Sequence, residues 1–174
     1  MARLINFAAA ALLVPGSRHP ALALNNSTSD FLRPHNAARA EVGVGKLAWD
    51  ADLAAYAHRY AEKRARDCAL VHSREPYGEN IYRCSAGRRR AVANAVARWV
   101  EERDGYDCRS NRCARKRGCG HYTQVVWAAT KHLGCAAVEC RNGGTFVVCS
   151  YDPPGNIHEE APYPACGRHR VVAA

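Results

Sequence analysis

The stretch that decides the fold is GCAAVECRNGGTFVVCSY, residues 134–151. It contains two apolar runs, 134–140 and 145–151, and the linker between them carries the pair Asn142-Gly143. Asn-Gly is the strongest short signal for a tight hairpin turn, because both residues tolerate positive backbone φ angles. The stretch therefore predicts an antiparallel β-hairpin.

The register of this hairpin constrains the cysteines. If the turn is centred on Asn142-Gly143, residues that face each other have numbers that sum to about 284 or 285. Cys135 and Cys149 meet this condition, so they lie opposite each other at a distance that a disulfide can bridge. Cys140 has the opposite parity and points to the other face of the sheet, where it can reach a packed element such as the one that carries Cys68.

The nine cysteines of the chain indicate a disulfide framework formed in an oxidising compartment. Zinc is the competing interpretation, but the chain has no C-x-x-C pair, so the spacing of a zinc ribbon is absent. Cys113 and Cys119 close a short loop. Three cysteines remain, and a bond from Cys84 to Cys108 or Cys166 would leave one cysteine unpaired or bonded outside the chain.

Residues 1–23 have the pattern of a secretory signal peptide. Arg3 supplies the positive charge, residues 4–14 supply an apolar run, and Ala21-Leu22-Ala23 resembles a cleavage site. The apolar run is too short to span a bilayer. A secreted, soluble protein is therefore expected.

The mature chain is expected to begin near Leu24. We predict a single secreted domain over residues 24–166 and a short basic tail over residues 167–174. Asn25 and Asn26 begin two overlapping glycosylation sequons, and steric crowding should allow modification of one at most.

Periodic apolar residues predict three helices before the hairpin, over residues 30–42, 52–67 and 88–103. Asp52 is the expected N-cap of the second helix. The third helix carries an apolar stripe of Val92, Val96, Trp99 and Val100. Helices that are followed by an antiparallel sheet are typical of an α+β domain.

The segment 120–127, GHYTQVVW, is rich in strand-forming residues and predicts a strand that ends in a core tryptophan, Trp127. His121 lies where the preceding loop meets this element. Functional side chains often occupy such positions, although a surface histidine without a function is the simpler interpretation of this segment alone.

The chain has 25 basic and 16 acidic residues and a formal net charge of +9. Loss of the signal peptide removes two arginines and no acid, which leaves +7. Arginine runs over residues 88–90 and 109–117 could bind nucleic acid. In a secreted chain, attraction to anionic cell walls or membranes is the stronger interpretation, and a solvated face is stronger still. We expect no nucleic-acid partner.

Seven short motifs follow one another in an order that is typical of one protein family. They are His35-Asn36-Ala37-Ala38-Arg39, Leu47-Ala48-Trp49-Asp50, Cys68-Ala69-Leu70-Val71-His72-Ser73, Tyr77-Gly78-Glu79-Asn80-Ile81, Trp99-Val100-Glu101-Glu102, the segment 120–127, and Cys149-Ser150-Tyr151-Asp152-Pro153-Pro154-Gly155-Asn156. On these motifs the chain resembles the plant pathogenesis-related protein 1 family, within the superfamily of cysteine-rich secretory proteins and antigen 5 allergens. The resemblance covers about residues 28–163.

This resemblance implies a three-layer α-β-α sandwich with a central antiparallel sheet, which refines the α+β prediction. It also implies the disulfides Cys68–Cys140, Cys113–Cys119 and Cys135–Cys149. Because the plant pattern has six cysteines, the other three cysteines of this chain are additions to it.

The family also has two histidines and two glutamates in a shared cavity. Matched motif by motif, these are His72, Glu79, Glu102 and His121, whereas Glu101 is one position off and is expected to be a solvated helix residue. The two histidines could bind a divalent metal such as zinc, with the carboxylates orienting their rings. The cluster could instead perform acid–base chemistry or form an inert polar network.

No nucleophile motif accompanies the cluster, so we favour a polar network or a weak zinc site over an enzyme, and we expect no required cofactor. The resemblance implies a secreted, monomeric plant defence protein of the apoplast that binds a sterol or another lipid and inhibits fungi or oomycetes at their membrane or cell-wall surface. It also implies a released defence peptide, here Pro153 to Tyr163. The alternative is a secreted hydrolase, a protease, that uses the histidine and glutamate cluster.

Overall fold

The structure is a computed structural model that describes residues 27–85, 91–115 and 118–164. Outside the described residues lie the expected signal peptide, the sequons at Asn25 and Asn26, the arginine run 88–90, Cys166 and the basic tail. Within the described part, no helix is long and apolar enough to cross a membrane.

The described elements alternate between helices and strands. In chain order they are α1 (Thr28–Glu41), β1 (Ala48–Trp49), α2 (Ala51–Arg64), β2 (Gly78–Cys84), α3 (Ala91–Glu101), a 3-10 turn (Glu102–Gly105), β3 (Tyr106–Asp107), β4 (Arg112–Cys113), α4 (Gly120–Val125), β5 (His132–Glu139) and β6 (Thr145–Asp152).

The main sheet is built around the predicted hairpin and has the strand order β1-β5-β6-β2. β5 and β6 are antiparallel, and Cys135 lies directly opposite Cys149, as the register argument predicts. β2 is antiparallel to β6, so the core of the sheet is antiparallel as expected. At the other edge, the two-residue β1 is parallel to β5.

Both faces of the hairpin are buried. Cys135 and Ala137 of β5 pack in an apolar cluster with residues of α1, α3 and α4. Ala136 and Val138 pack in a second cluster with residues of α2. Because successive side chains of a strand point to opposite faces, each face of the sheet is covered by its own helical layer. The α-β-α sandwich is confirmed.

The three disulfides that the family pattern implies are present, and they lie on different parts of this frame. They are Cys68–Cys140, Cys113–Cys119 and Cys135–Cys149. Cys84 is a free thiol, and Cys108 is disulfide-bonded. The suggested pairing of Cys84 is therefore wrong.

The three predicted helices exist, with corrections at their ends. The N-cap of α2 is Asp50, whose carboxylate accepts a hydrogen bond from the Leu53 amide at 2.8 Å. Asp52, the predicted cap, lies inside the first turn, because the helix begins one residue after Asp50. α3 ends at Glu101 and is followed by the 3-10 turn. Glu102 therefore lies outside the helix, although the predicted range 88–103 includes it.

The predicted strand over residues 120–127 is wrong, because residues 120–125 form the helix α4. Tyr122, Thr123, Gln124 and Val125 are consecutive buried residues of this helix. Strand-forming residues that are buried on all sides give no period that distinguishes a strand from a buried helix. Trp127 is buried, as predicted.

Candidate functional site

His72 and Glu79 form the first of two histidine–carboxylate pairs. Nδ1 of His72 lies 2.8 Å from Oε1 of Glu79, which also accepts a hydrogen bond from the Ser73 amide at 2.9 Å. The His72 side chain is 58% exposed, whereas the Glu79 side chain is 6% exposed. Oε2 of Glu79 is buried and has no hydrogen-bond partner among the described residues. A buried carboxylate thus holds an accessible imidazole.

His121 and Glu102 form the second pair. Nδ1 of His121 lies 2.6 Å from Oε1 of Glu102, and the His121 amide donates to Oε2 of the same carboxylate at 2.9 Å. The His121 ring stacks against Trp99, with 6.2 Å between ring centroids and 20° between planes. The carboxylate and the indole together fix the orientation of the imidazole.

Asn80 connects the second pair to the strand that carries Glu79. Its side-chain amide donates to the His121 carbonyl at 3.0 Å and to the Tyr151 hydroxyl at 3.1 Å. Asn80 is 1% exposed and directly follows Glu79 in β2. One strand therefore positions members of both pairs.

The hydrogen-bond chain continues from Tyr151 into the core. The Tyr151 hydroxyl lies 2.8 Å from Nε2 of His35, and Nδ1 of His35 lies 2.7 Å from the Phe31 carbonyl. The carbonyl can only accept, so Nδ1 carries the proton and Nε2 accepts from Tyr151. Burial lowers the pKa of His35 to about 4 and raises the pKa of Tyr151, so both groups are neutral at pH 7.

A buried arginine, Arg39, hydrogen bonds to the segment that follows α4. The Arg39 guanidinium donates to the carbonyls of Gly45, Val125, Trp127 and Thr130 at distances of 2.6 to 3.1 Å. Burial lowers the pKa of Arg39 to about 10, which still leaves it charged. Carbonyl acceptors satisfy this buried cation, and they hold residues 125–130 in place behind His121.

The structure thus forms two pairs from the four predicted site residues, and Asn80 couples them. Glu79 lies on strand β2, Glu102 lies in the 3-10 turn after α3 rather than in the helix, and His121 lies in the first turn of a helix rather than at the start of a strand. Glu101 is 61% exposed and pairs with Arg98, as expected of a solvated residue.

Sequence reasoning assigned no role to three residues that support the pairs. Asn80, Tyr151 and His35 all lie within the motifs that carry the resemblance, but motif matching does not reveal which partner each contacts. Among the described residues, no group of three or more His, Cys, Asp or Glu side chains could hold a metal ion.

A groove of about 700 Å³ lies between α1 and α3, in the helical layer that also contains α4. Most of the lining side chains are small or branched and apolar: Pro34, Ala37, Ala38, Val92, Ala93, Val96, Ala97 and Val100. The lining also contains three charged residues, Asp30, Arg33 and Glu41. Sequence reasoning found no lipid groove, because alanines on two different helices reveal a gap only when the helices pack together.

The segment 153–163 is anchored at both ends and exposed between them. The Asn156 side chain accepts from the Thr123 hydroxyl at 2.6 Å and donates to the Gly120 carbonyl at 2.9 Å. The Pro162 carbonyl accepts from the Ala128 amide at 2.7 Å, and Tyr163 is buried. Residues 157–161 are exposed to solvent.

Comparisons with known proteins agree with this architecture. Residues 32–151 match the model of the cysteine-rich secretory protein family. The chain is 54% identical to Pathogenesis-related protein 1A of Nicotiana tabacum over 138 residues, which cover 79% of this chain and 82% of that protein.

Two solved structures share the fold. The crystal structure of Na-ASP-1 superposes with a TM-score of 0.65 at 30% identity, covering 78% of this chain and 40% of that one. The crystal structure of NaASP2 with Zn²⁺ gives a TM-score of 0.65 at 26% identity, covering 81% of this chain and 86% of that one. The present chain belongs to the cysteine-rich secretory protein family and, within it, to the plant pathogenesis-related protein 1 family.

Proposed function

We propose that this plant pathogenesis-related defence protein is secreted to the apoplast and acts without catalysis, as a monomer, by binding a sterol or another lipid. The groove between α1 and α3 is the observation that carries the proposal. Its volume of about 700 Å³ falls within the range of about 300–1,000 Å³ that is usual for small-molecule sites. A rigid, mostly apolar ligand suits such a site.

The lining of the groove has the chemistry that a lipid requires. Ala93 and Ala97 lie one turn apart on α3, and both are exposed, as is Ala37 on α1. Their small side chains leave room, and burying their apolar surface against a ligand is favourable by roughly 25 cal/mol per Å². Asp30 and Arg33 lie in the first turns of α1, where they could hydrogen bond a hydroxyl or a headgroup.

The biological target follows from charge and ligand together. The secreted chain, with a formal charge of +7 after loss of residues 1–23, is attracted to the anionic surfaces of membranes and cell walls. Withdrawal of sterol at such a surface would inhibit fungi or oomycetes. The test is to incubate the pure protein with sterol-containing vesicles, re-isolate it, extract bound lipid and identify it by mass spectrometry. Recovery of no lipid would contradict the proposal.

The alternative, a protease that uses the histidine–glutamate cluster, has less support. Among the described residues, neither His72 nor His121 has a serine, threonine or cysteine side chain as a hydrogen-bond partner. Each imidazole is instead held by a carboxylate. A peptidase assay on the same protein sample, expected to give no turnover, separates the two functions.

A weakly bound zinc ion at the two histidines is part of the proposal. Each Nδ1 contacts a carboxylate, which leaves Nε2 as the remaining nitrogen of each ring. A carboxylate that holds the far nitrogen of a metal-binding histidine is the usual outer-shell arrangement. Two imidazoles are an incomplete shell for zinc, so water would complete it and affinity should be weak.

Release of a defence peptide from Pro153 to Tyr163 is also proposed. The exposed residues 157–161 lie between anchors, so the segment is accessible without being loose. The bond before Pro153 lies at the end of β6, where the Asp152 carbonyl accepts from the Lys131 amide at 2.9 Å. A protease would therefore have to open this end of the strand before cleavage.

A further inference from the structure

A second cleft, of about 180 Å³, lies between α2 and the loop of residues 73–75. Four residues of α2 line it: Tyr56, Arg59, Tyr60 and Lys63. These positions are separated by three, one and three residues, so they form a single stripe along the helix. Both tyrosines are half-buried, and they line this cleft together with the two cations.

The lining of the cleft carries a net positive charge, with the Glu79 carboxylate close to its two tyrosines. Arg74 joins Arg59 and Lys63 in the lining, against the single carboxylate of Glu75. All three cations are exposed, and none of them makes a salt bridge within the part of the chain that the structure describes. Cations without a protein partner are free to bind an anionic ligand.

The cleft is held in shape by contacts that do not involve these cations. The Tyr60 hydroxyl donates to the Val71 carbonyl, and the Ser73 amide donates to the Glu79 carboxylate. The Tyr56 ring contacts the Tyr77 ring at a centroid distance of 5.2 Å. A preformed cleft costs little ordering when a ligand binds.

We propose that this cleft binds one sugar unit of an acidic polysaccharide in which the rings carry carboxylates, that is, a polymer of uronic acid. The carboxylate would pair with Arg59, Lys63 or Arg74, and the apolar face of the ring would pack on the tyrosines, which combine an apolar body with a polar tip.

Size and shape favour this partner over others. The cleft is smaller than the roughly 300 Å³ at which small-molecule sites usually begin, so it fits one unit of a chain rather than a whole small molecule. A flat bilayer surface also cannot enter a concave site of this size. The inference specifies the chemistry of the cell-wall partner in the proposed function and rests on that part of it, but it does not depend on the lipid groove.

The test measures binding of short galacturonic acid oligomers to the mature protein by calorimetry at low salt. Replacement of two cleft cations, Arg59→Gln with Lys63→Gln, should weaken binding about tenfold or more, because it removes two of the three cations that can pair with the carboxylate. The matched control, Lys46→Gln with Arg112→Gln, removes the same two residue types at exposed positions outside the cleft and should retain most of the affinity.

Three outcomes would overturn the inference. Equal affinity in the cleft variant and the control would mean that net charge alone attracts the polymer. Equal binding of the fully methyl-esterified oligomer would remove the role of the carboxylate. Binding to anionic vesicles or inorganic phosphate, with none to the oligomers, would assign the cleft to a different ligand. Sterol recovery from the cleft variant should equal that from the unmodified protein, so loss of this inference leaves the lipid proposal standing.

Discussion

The side-chain amide of Asn80 joins His121 to the interior of the protein. It donates to the His121 carbonyl at 3.0 Å and to the Tyr151 hydroxyl at 3.1 Å, and Tyr151 in turn contacts His35 at 2.8 Å. A substitution at Asn80 should therefore affect both the His121 site and the core.

Replacement of Asn80 by alanine should reduce the free energy of unfolding by about 1–3 kcal/mol, because it leaves buried acceptors without a donor. Urea unfolding at pH 7 measures the loss. The control is Asn94→Ala on α3, which is half-buried and should change stability by no more than about 0.5 kcal/mol. Equal stability of the two variants would contradict the role given to Asn80.

Stability should depend on pH through His35. Its pKa is lowered by burial from an ordinary 6.5 to about 4, so the imidazole is neutral in both folded and unfolded chains above about pH 6.5. As the pH falls from 6.5 to 4, the unfolded chain takes up a proton that the folded chain refuses, and stability is lost. The loss due to this residue should approach about 3 kcal/mol.

Carboxylates titrate over part of the same range, so the readout is a comparison with His35→Phe, which cannot take up the proton. The stability advantage of the unmodified protein over this variant should shrink by about 3 kcal/mol between pH 7 and pH 4. Denaturant unfolding at several pH values measures it. A constant difference across the range would show that the folded chain protonates His35 as readily as the unfolded chain does, so that burial does not lower its pKa.

Gly134 should not tolerate a side chain. A Cβ at this position would lie 2.2 Å from the Ala54 backbone nitrogen, so Gly134→Ala must push α2 away from β5. We expect a loss of about 1–3 kcal/mol in unfolding free energy. Gly45→Ala is the matched control, since a Cβ there meets nothing within 4 Å. Thermal or urea unfolding measures the stability of the two variants. Equal stability would contradict the close approach of Gly134 to the Ala54 backbone.

Zinc binding should require both site histidines. In calorimetry, His72→Ala with His121→Ala should abolish zinc binding while the disulfide-linked fold remains, whereas the control His58→Ala with His158→Ala should not. Unchanged zinc affinity in the site variant would exclude the site. If the unmodified protein binds no zinc, and if replacing His72 or His121 lowers the free energy of unfolding, the cluster is a structural network.

The sequence indicated the hairpin well because its evidence is local. A turn signal and strand parity lie within residues 134–151, and they suffice to place Cys135 opposite Cys149. β2 escaped detection because Gly78, Glu79 and Asn80 are poor strand formers, and it exists through pairing with β6 about seventy residues later. α4 differs from the predicted strand because its residues 122–125 are all buried, so they show no amphipathic period.

The site shows the same division between local and distant information. The resemblance supplies all four residues of the two pairs, but it does not reveal that Asn80 hydrogen bonds the His121 carbonyl across 41 positions of sequence. The α1–α3 groove and the cleft beside α2 are likewise gaps between elements, and no local pattern describes a gap.

The affinity of sterol for a groove-filling variant tests the central claim most directly. Ala97 is exposed and lines the groove, so Ala97→Phe should occupy the space without disturbing the core, and Ala40→Phe places the same ring on an exposed part of α1 outside the lining. Ala97→Phe should weaken sterol binding by about tenfold or more, whereas Ala40→Phe should leave it unchanged. Equal sterol affinity in the two variants would contradict the assignment of the lipid site to this groove.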